Sequence, residues 1–402
     1  MYSFFKDPLL VSLLAFSFLV RFLFLIVFPE LDFPDARAYQ TIGKEIFSGE
    51  LITNDIYMPL YPILTYITGG GVMQNIVDII FSVTMVGVIY CLSTELFNNR
   101  MSAIVAVVIS SAYPHFLFYA IAGLTETFYT LLLLSSFFFF YKEKYLIAIF
   151  ILVLSILVRP SLDFLNPFLV IIFTFFIFRR GYIKSIKQAL IYIFIYIVLM
   201  SPWWIHQHQK YGEFIRLNLG DGIVLYSGNN PLNLTGGGVG RDVGQSDMDL
   251  STFSDIVNPV ERNHAMKQAA MSYIVANPGH FIELAGIKFV RFWRLWPHAE
   301  VYQQWYTIAA SLLSYGVVLL LSIGFILRDS KEHFRRLLPI YALFGYLTLV
   351  HMVTIGSIRY RFPLEPFLII FASQFLVSLL RNRSWFIIIQ EKILKISSKQ
   401  SP

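Results

Sequence analysis

The sequence predicts an all-α polytopic membrane protein, a transmembrane bundle of about 10 helices with a small extracytoplasmic domain. Three observations predict it. The 402 residues are 56% hydrophobic and only 14% charged, whereas ordinary soluble domains carry roughly 25% charged residues. So few polar side chains cannot cover a water-facing surface, which excludes a soluble multi-domain enzyme. Apolar runs approaching the ~20 residues that a bilayer requires recur along the chain. Phe (39), Tyr (23) and Trp (6) raise the aromatic share to 17%, as suits the aromatic belts of a membrane protein. A single cysteine, Cys91, excludes a disulfide framework and a cysteine-rich metal cluster.

Ten stretches read as spans: 9–28, 73–92, 102–120, 124–141, 145–159, 163–178, 188–205, 305–327, 337–356 and 363–380. The fifth and sixth are short and separated only by Val158-Arg-Pro-Ser161. With the N-terminus inside, Lys6, Arg100, Lys142, Lys144, the 179–187 cluster, the 328–336 cluster and the basic tail all fall on the cytoplasmic side. The first outer loop, 30–58, is acidic, with Arg37 and Lys44 its only bases. This asymmetry predicts N-in, C-in, and places the net charge of +6 in cytoplasmic loops rather than in a nucleic-acid interface. The first apolar run contains Arg21 and is followed by no small-residue cleavage site, so it reads as an anchor rather than a cleaved signal.

The domain reading is 1–205, an N-terminal transmembrane module; 206–304, an extracytoplasmic domain; and 305–402, the C-terminal helices and a cytoplasmic tail. The middle segment is glycine-rich from Gly212 to Gly244, then shows helical periodicity at 259–275 and 278–296.

Ionisable groups at membrane depth are costly and therefore informative. The outer side collects Asp32, Asp35, Glu126, Arg159, Asp163, Arg359 and Arg361 beside prolines and aromatics. Asp35 follows Pro34, so it either opens a helix as its first-turn acid or serves as a general base towards a hydroxyl. Tyr39, four residues on, shares its helical face. Tyr57-Met-Pro-Leu-Tyr61-Pro62 reads as an extended turn, because two prolines do not suit a helix interior. Glu126 is a first-turn acid or a catalytic group. Arg359 and Arg361 stand where the positive-inside rule disfavours bases, and a guanidinium fork fits phosphate, of a ligand or of a lipid headgroup. Arg21, mid-helix, calls for a buried carboxylate partner.

Weaker patterns carry little. Asp247-Met-Asp249 lacks a preceding nucleotide-binding unit, and Gly236–Gly240 lacks the Lys-Ser/Thr of a phosphate-binding loop, leaving a mobile loop. His206-Gln-His208 reads as interfacial belt. Arginines beside acids on the far side point to a transferase whose activated group arrives in the membrane, on a polyprenyl phosphate, because soluble nucleotide donors are confined to the cytoplasm.

Five stretches in order strengthen this reading: Asp35-Ala-Arg-Ala-Tyr39, Met58-Pro-Leu-Tyr-Pro62, Leu124-Thr-Glu-Thr-Phe128, Tyr226-Ser-Gly-Asn-Asn-Pro231 and Arg359-Tyr-Arg-Phe-Pro-Leu-Glu-Pro366, with Arg159-Pro160 and Pro202-Trp203 between them. Together, over about residues 10–375, they resemble the GT-C superfamily of polyprenyl-phosphate-sugar-dependent glycosyltransferases. The nearest likeness is to the bacterial branch related to protein O-mannosyltransferases and the lipid A aminoarabinose transferase. Ala36 stands where many relatives carry Glu, and His206-Gln207 where relatives often carry Arg-Asn.

The resemblance implies an integral enzyme of the bacterial inner membrane with its active site on the extracytoplasmic face. It implies Asp35 as the catalytic base, with Glu126 in a second acidic motif. Arg159, Arg359 and Arg361 would hold the donor phosphate, and Tyr39, Tyr61, Asn229 and Asn230 would line the substrate pocket. The implied partners are a polyprenyl-phosphate-linked sugar, a hydroxyl acceptor on a lipid, glycan or protein, and membrane lipids, with no nucleic acid. The resemblance makes no cofactor certain and leaves a divalent metal ion open. Two alternatives share part of this pattern. A ligase or polymerase would move a whole lipid-linked glycan. A flippase or transporter would show an internal repeat and several mid-helix charges, whereas only Arg21 reads as central.

Overall fold

The computed structural model describes residues 7–29, 31, 33–49, 52, 54–238, 248–299, 302–383 and 386. Asp32, the end of the glycine run at Gly240, Asp247 and most of the basic tail lie outside the described residues. The chain opens with α1 (Pro8–Val27), α2 (Pro34–Ser48), α3 (Leu60–Thr68) and α4 (Gly71–Phe97). There follow α5 (Arg100–Ser111), α6 (Pro114–Tyr119), α7 (Thr125–Tyr141), α8 (Tyr145–Val158), α9 (Asn166–Ile177) and α10 (Tyr182–Tyr211). The segment after α10 forms α11 (Asp221–Gly228), α12 (Pro259–Ala276) and α13 (Pro278–Trp293). Three long helices close the chain: α14 (Trp305–Arg328), α15 (Ser330–Val353) and α16 (Ile358–Leu380).

Six of these, α1, α4, α10, α14, α15 and α16, are long and apolar enough to cross a bilayer, as befits an integral membrane protein. The other four sequence-read spans are helical but shorter. The run 102–120 is divided into α5 and α6 by Pro114, and α7, α8 and α9 have 17, 14 and 12 residues. Helix ends follow local chemistry. Asp7, Asn99 and Asn258 accept first-turn backbone N–H groups at α1, α5 and α12. Gly49 and Gly212, at φ 73° and 71°, terminate α2 and α10 in the left-handed region. Of the turn expected at 57–62, residues 57–59 are non-helical, while Leu60, Tyr61 and Pro62 open a helix. Pro59 precedes α3 and Pro62 lies in its first turn, where backbone N–H groups have no intrahelical acceptor to lose. α11 was not legible within the glycine-rich stretch.

α16 is the centre of the bundle. From Phe367 to Ala372 no residue is more than 2% exposed, as expected of a helix surrounded by α5, α7 and α14. α1 is peripheral and turns Phe16, Leu19, Leu23 and Ile26 outward, while Ser17, Arg21 and Leu25 face α4 and α5.

Among the described residues Arg21 has no carboxylate partner. Its guanidinium donates to Ser82 Oγ at 2.7 Å, to Ser17 Oγ at 2.5 Å, and to the carbonyls of Ser110 and Ser111 at 3.2 and 3.1 Å. Those carbonyls end α5. Ser110 would ordinarily accept from residue 114, but Pro114 has no N–H. Arg21 supplies the missing donors, and a forked cation matches two adjacent carbonyls better than a point charge does. Arg21→Ala is therefore expected to lower the detergent melting temperature markedly, because two buried carbonyls lose their donors. Arg21→Lys should recover only part of the loss. Wild-type melting of both variants would contradict this account.

Candidate active site

Four helix termini meet at one end of the bundle: the starts of α2, α7 and α16 and the end of α8. Pro34 at the first helical position sets Asp35 in the first turn of α2. Leu124 in extended conformation starts α7 and sets Glu126 in its first turn. Arg159 is the extended residue that ends α8 before Pro160. Ser357 accepts the Arg359 N–H at 3.3 Å and caps the start of α16.

These termini bring four of the sequence-read residues into one ion network. Arg359 Nη1 donates to Asp35 Oδ2 at 2.7 Å, and Arg359 Nε donates to Glu126 Oε1. Arg159 Nη1 donates to the same Glu126 oxygen at 2.8 Å. Asp35 and Arg359 are 324 positions apart in sequence. Glu126 is fully buried, and its Oε2 has no hydrogen-bond partner among the described residues. The Tyr57 hydroxyl donates to the other Asp35 oxygen at 2.8 Å. Burial pushes the Asp35 carboxyl up, but the Arg359 guanidinium and the Tyr57 hydroxyl outweigh it and hold the group below the usual carboxylate range. Burial and then the Asp35 charge push the Tyr57 hydroxyl up. The network therefore contains two carboxylates and two guanidiniums, rimmed on one side by tyrosines.

The remaining sequence-read residues are placed around this network or away from it. Tyr39 packs edge-on against Tyr57 and Tyr61, with ring centroids 4.9 and 5.2 Å apart. The Tyr61 hydroxyl donates to Asp78 Oδ2 at 2.8 Å. Asp78 is itself fully buried and takes a second hydrogen bond from Gln74. This acid sits inside a predicted span, so Arg21 is not the one central charge. An isolated Asp in an apolar run was the available signal.

Arg361 does not join Arg359. It is buried under α13, donating to Glu365 at 3.0 Å and to the carbonyls of Phe292 and Arg294 at 3.0 and 2.7 Å, with the Tyr315 ring against its guanidinium. His115 closes this second group onto Glu365 at 3.0 Å. Asn229 and Asn230 are structural amides. Asn229 bridges Leu225 and Val353 carbonyls and accepts from Lys288, and Asn230 bonds back to Tyr226 and Ser227 at the end of α11. Asp163 pairs with Arg216 and the Tyr196 hydroxyl, partners that no local pattern pointed to. Asp249 caps the short turn at Ser251.

The donor set does not suit a divalent cation. One guanidinium bridges both carboxylates, and among the described residues no group of three or more His, Cys, Asp or Glu is arranged to hold a metal ion.

No family model and no curated protein matches the chain. Its fold does match solved structures. One is the apo oligosaccharyltransferase of Archaeoglobus fulgidus, at 13% identity and TM-score 0.57, covering 95% of this chain and 52% of that one. Another is the oligosaccharyltransferase AglB of Archaeoglobus fulgidus in complex with an inhibitory peptide and a dolichol-phosphate, at 12% identity and TM-score 0.54, with 95% and 51% covered. The likeness is one of fold, and the chain spans about half the length of those proteins.

Proposed function

We propose that this chain is an inverting glycosyltransferase of the bacterial inner membrane, moving a sugar from a polyprenyl phosphate to a hydroxyl acceptor on the extracytoplasmic side. In this reading all ten helical stretches traverse or enter the bilayer, both termini face the cytoplasm, and 206–304 forms the outer domain. The observation that carries it is the network of Asp35, Glu126, Arg159 and Arg359. It pairs a carboxylate suited to proton abstraction with two guanidiniums suited to a phosphate. A dolichol-phosphate bound to a fold neighbour supports a lipid-phosphate donor.

The acceptor hydroxyl gives its proton to Asp35 as its oxygen bonds to the anomeric carbon. The bond from that carbon to the phosphate oxygen breaks, and polyprenyl phosphate leaves from the opposite face with the electron pair. Arg359 and Arg159 meet the charge that grows on that oxygen. A donor phosphate competes with Asp35 for Arg359. Drawing the guanidinium towards phosphate frees the carboxylate and strengthens it as a base at the moment it is needed. Glu126 keeps Arg159, and its unpaired Oε2 accepts a hydrogen bond that orients the acceptor. Arg361 acts through the packing of α13 against the start of α16, as a positioning residue.

Cells lacking the protein are expected to lose one sugar substituent from an envelope lipid, glycan or protein and to accumulate the polyprenyl-phosphate sugar. Mass analysis of envelope fractions reads both, and an unchanged envelope would count against the proposal. A second reading, transfer of a whole lipid-linked glycan, draws on the oligosaccharyltransferase identity of the fold neighbours. Turnover of a diphosphate-linked chain in place of a single-sugar monophosphate would favour it.

A further inference from the structure

Outside the ion network, three neighbouring residues carry buried polar atoms with no hydrogen-bond partner among the described residues: both amide atoms of Gln207, His206 Nε2 and Asp55 Oδ1. Gln207 is completely buried and Asp55 is 6% exposed. Asp55 meets the turn of α10 that follows His206 and Gln207. Asp55 Oδ2 accepts from Lys210 Nζ at 2.6 Å and from the Tyr211 hydroxyl. Gln207 lies one turn before Tyr211, and His206 one turn before Lys210, so both flank the side of α10 that meets Asp55. Trp203 stacks on His206 with ring centroids 5.6 Å apart, and its indole N–H is fixed on the Leu217 carbonyl at 2.5 Å. Asp55 is two residues from Tyr57, whose hydroxyl holds Asp35.

A buried amide left unpaired at both ends works against folding. Its hydrogen-bonding capacity specifies what would pair with it. Gln207 offers two N–H donors and a carbonyl acceptor, Asp55 a carboxylate acceptor, and His206 one further ring nitrogen. A phosphate, which only accepts, would be repelled by Asp55. An apolar group would leave every atom unmet. Adjacent hydroxyls, each able to donate and accept, match the set.

We propose that Gln207, Asp55 and His206 form a carbohydrate subsite that binds vicinal hydroxyls beside the Asp35 network. The source of those hydroxyls, donor sugar or acceptor glycan, rests on the glycosyl-transfer reading. The test is isothermal titration of the full chain in nanodiscs with farnesyl phosphate, hexosyl farnesyl phosphates and methyl hexosides, comparing wild type with Gln207→Met. The expected result is that the variant loses about tenfold or more in affinity for a sugar-bearing probe, while farnesyl phosphate binds as before and so reports an intact fold. Loss confined to the hexosyl lipid assigns the subsite to the donor sugar; loss confined to the hexoside assigns it to the acceptor. Unchanged affinity for every probe, with a raised melting temperature, would overturn the subsite and leave the amide as a packing cost. A wild type that binds no sugar-bearing probe would overturn it too. A wild type that binds a hexoside in a Gln207-dependent way, but neither lipid, would support the subsite and overturn the lipid-donor reading.

Discussion

Asp35→Asn is expected to reduce transfer by roughly 10²–10⁴-fold, the usual worth of a positioned general base, while the protein stays folded and still binds donor. Asparagine keeps the shape of the side chain, and its carbonyl oxygen can still accept from Tyr57 or Arg359. What it loses is the charge, in a pair whose two side chains are about a quarter exposed. Pairs that open to solvent contribute little to stability, on the order of 1 kcal/mol or less. Turnover with a polyprenyl-phosphate sugar, read beside the melting temperature, separates the chemical loss from a structural one. Near wild-type turnover would remove Asp35 from the reaction.

The same carboxylate sets a pH dependence. Its folded value lies below the unfolded one, ordinarily about 3.9 for Asp, so the pair's contribution to stability is complete above that value. The contribution is lost as pH falls through the folded value. The acid limb of kcat/KM in the free enzyme accordingly lies below the ordinary Asp range. Arg359→Lys keeps a positive charge but gives up the fork that bridges two carboxylates. Burial then meets less opposition, and the limb should move to higher pH. Coincident profiles for the two proteins would mean that Arg359 does not set the state of Asp35.

Much of this arrangement was legible because membranes make charge conspicuous. Arg159 and Arg359 stand out as bases at helix ends where the positive-inside rule disfavours them, and Asp35 and Glu126 stand out as acids beside Pro and Thr. Their convergence lives on the tertiary link: four helix termini must meet, and no local pattern encodes that. Arg361 shows where reading by neighbourhood fails. Residues two apart on a helix point to opposite sides, so Arg359 and Arg361 cannot easily serve one phosphate. Arg361 instead meets Glu365 at the i, i+4 spacing, a pair the sequence displays. Arg21 fails for another reason. Serines and carbonyls replaced the expected carboxylate, and those carbonyls are free only because Pro114 interrupts a run that hydropathy alone reads as continuous.

Arg359→Ala should carry two large and separable losses. Glu126 is fully buried and holds two guanidiniums on one oxygen. Removing one leaves a buried carboxylate under-compensated, and breaking a buried pair from one side costs roughly 3–5 kcal/mol. Melting in detergent should fall accordingly. Donor binding should fall as well, by about 10–100-fold, because a charge-assisted hydrogen bond to phosphate contributes roughly 1.5–3 kcal/mol. The two effects part company in a double variant. Glu126→Gln with Arg359→Met removes the stranded charge and fills the space, so stability should largely return while donor affinity stays low. Arg361→Ala supplies the contrasting case. Its guanidinium is committed to Glu365 and to backbone carbonyls, so it should cost stability with a much smaller change in affinity for polyprenyl phosphate. If the double variant regained donor binding together with stability, Arg359 would be a structural cation only, and the phosphate contact would have to be sought at Arg159.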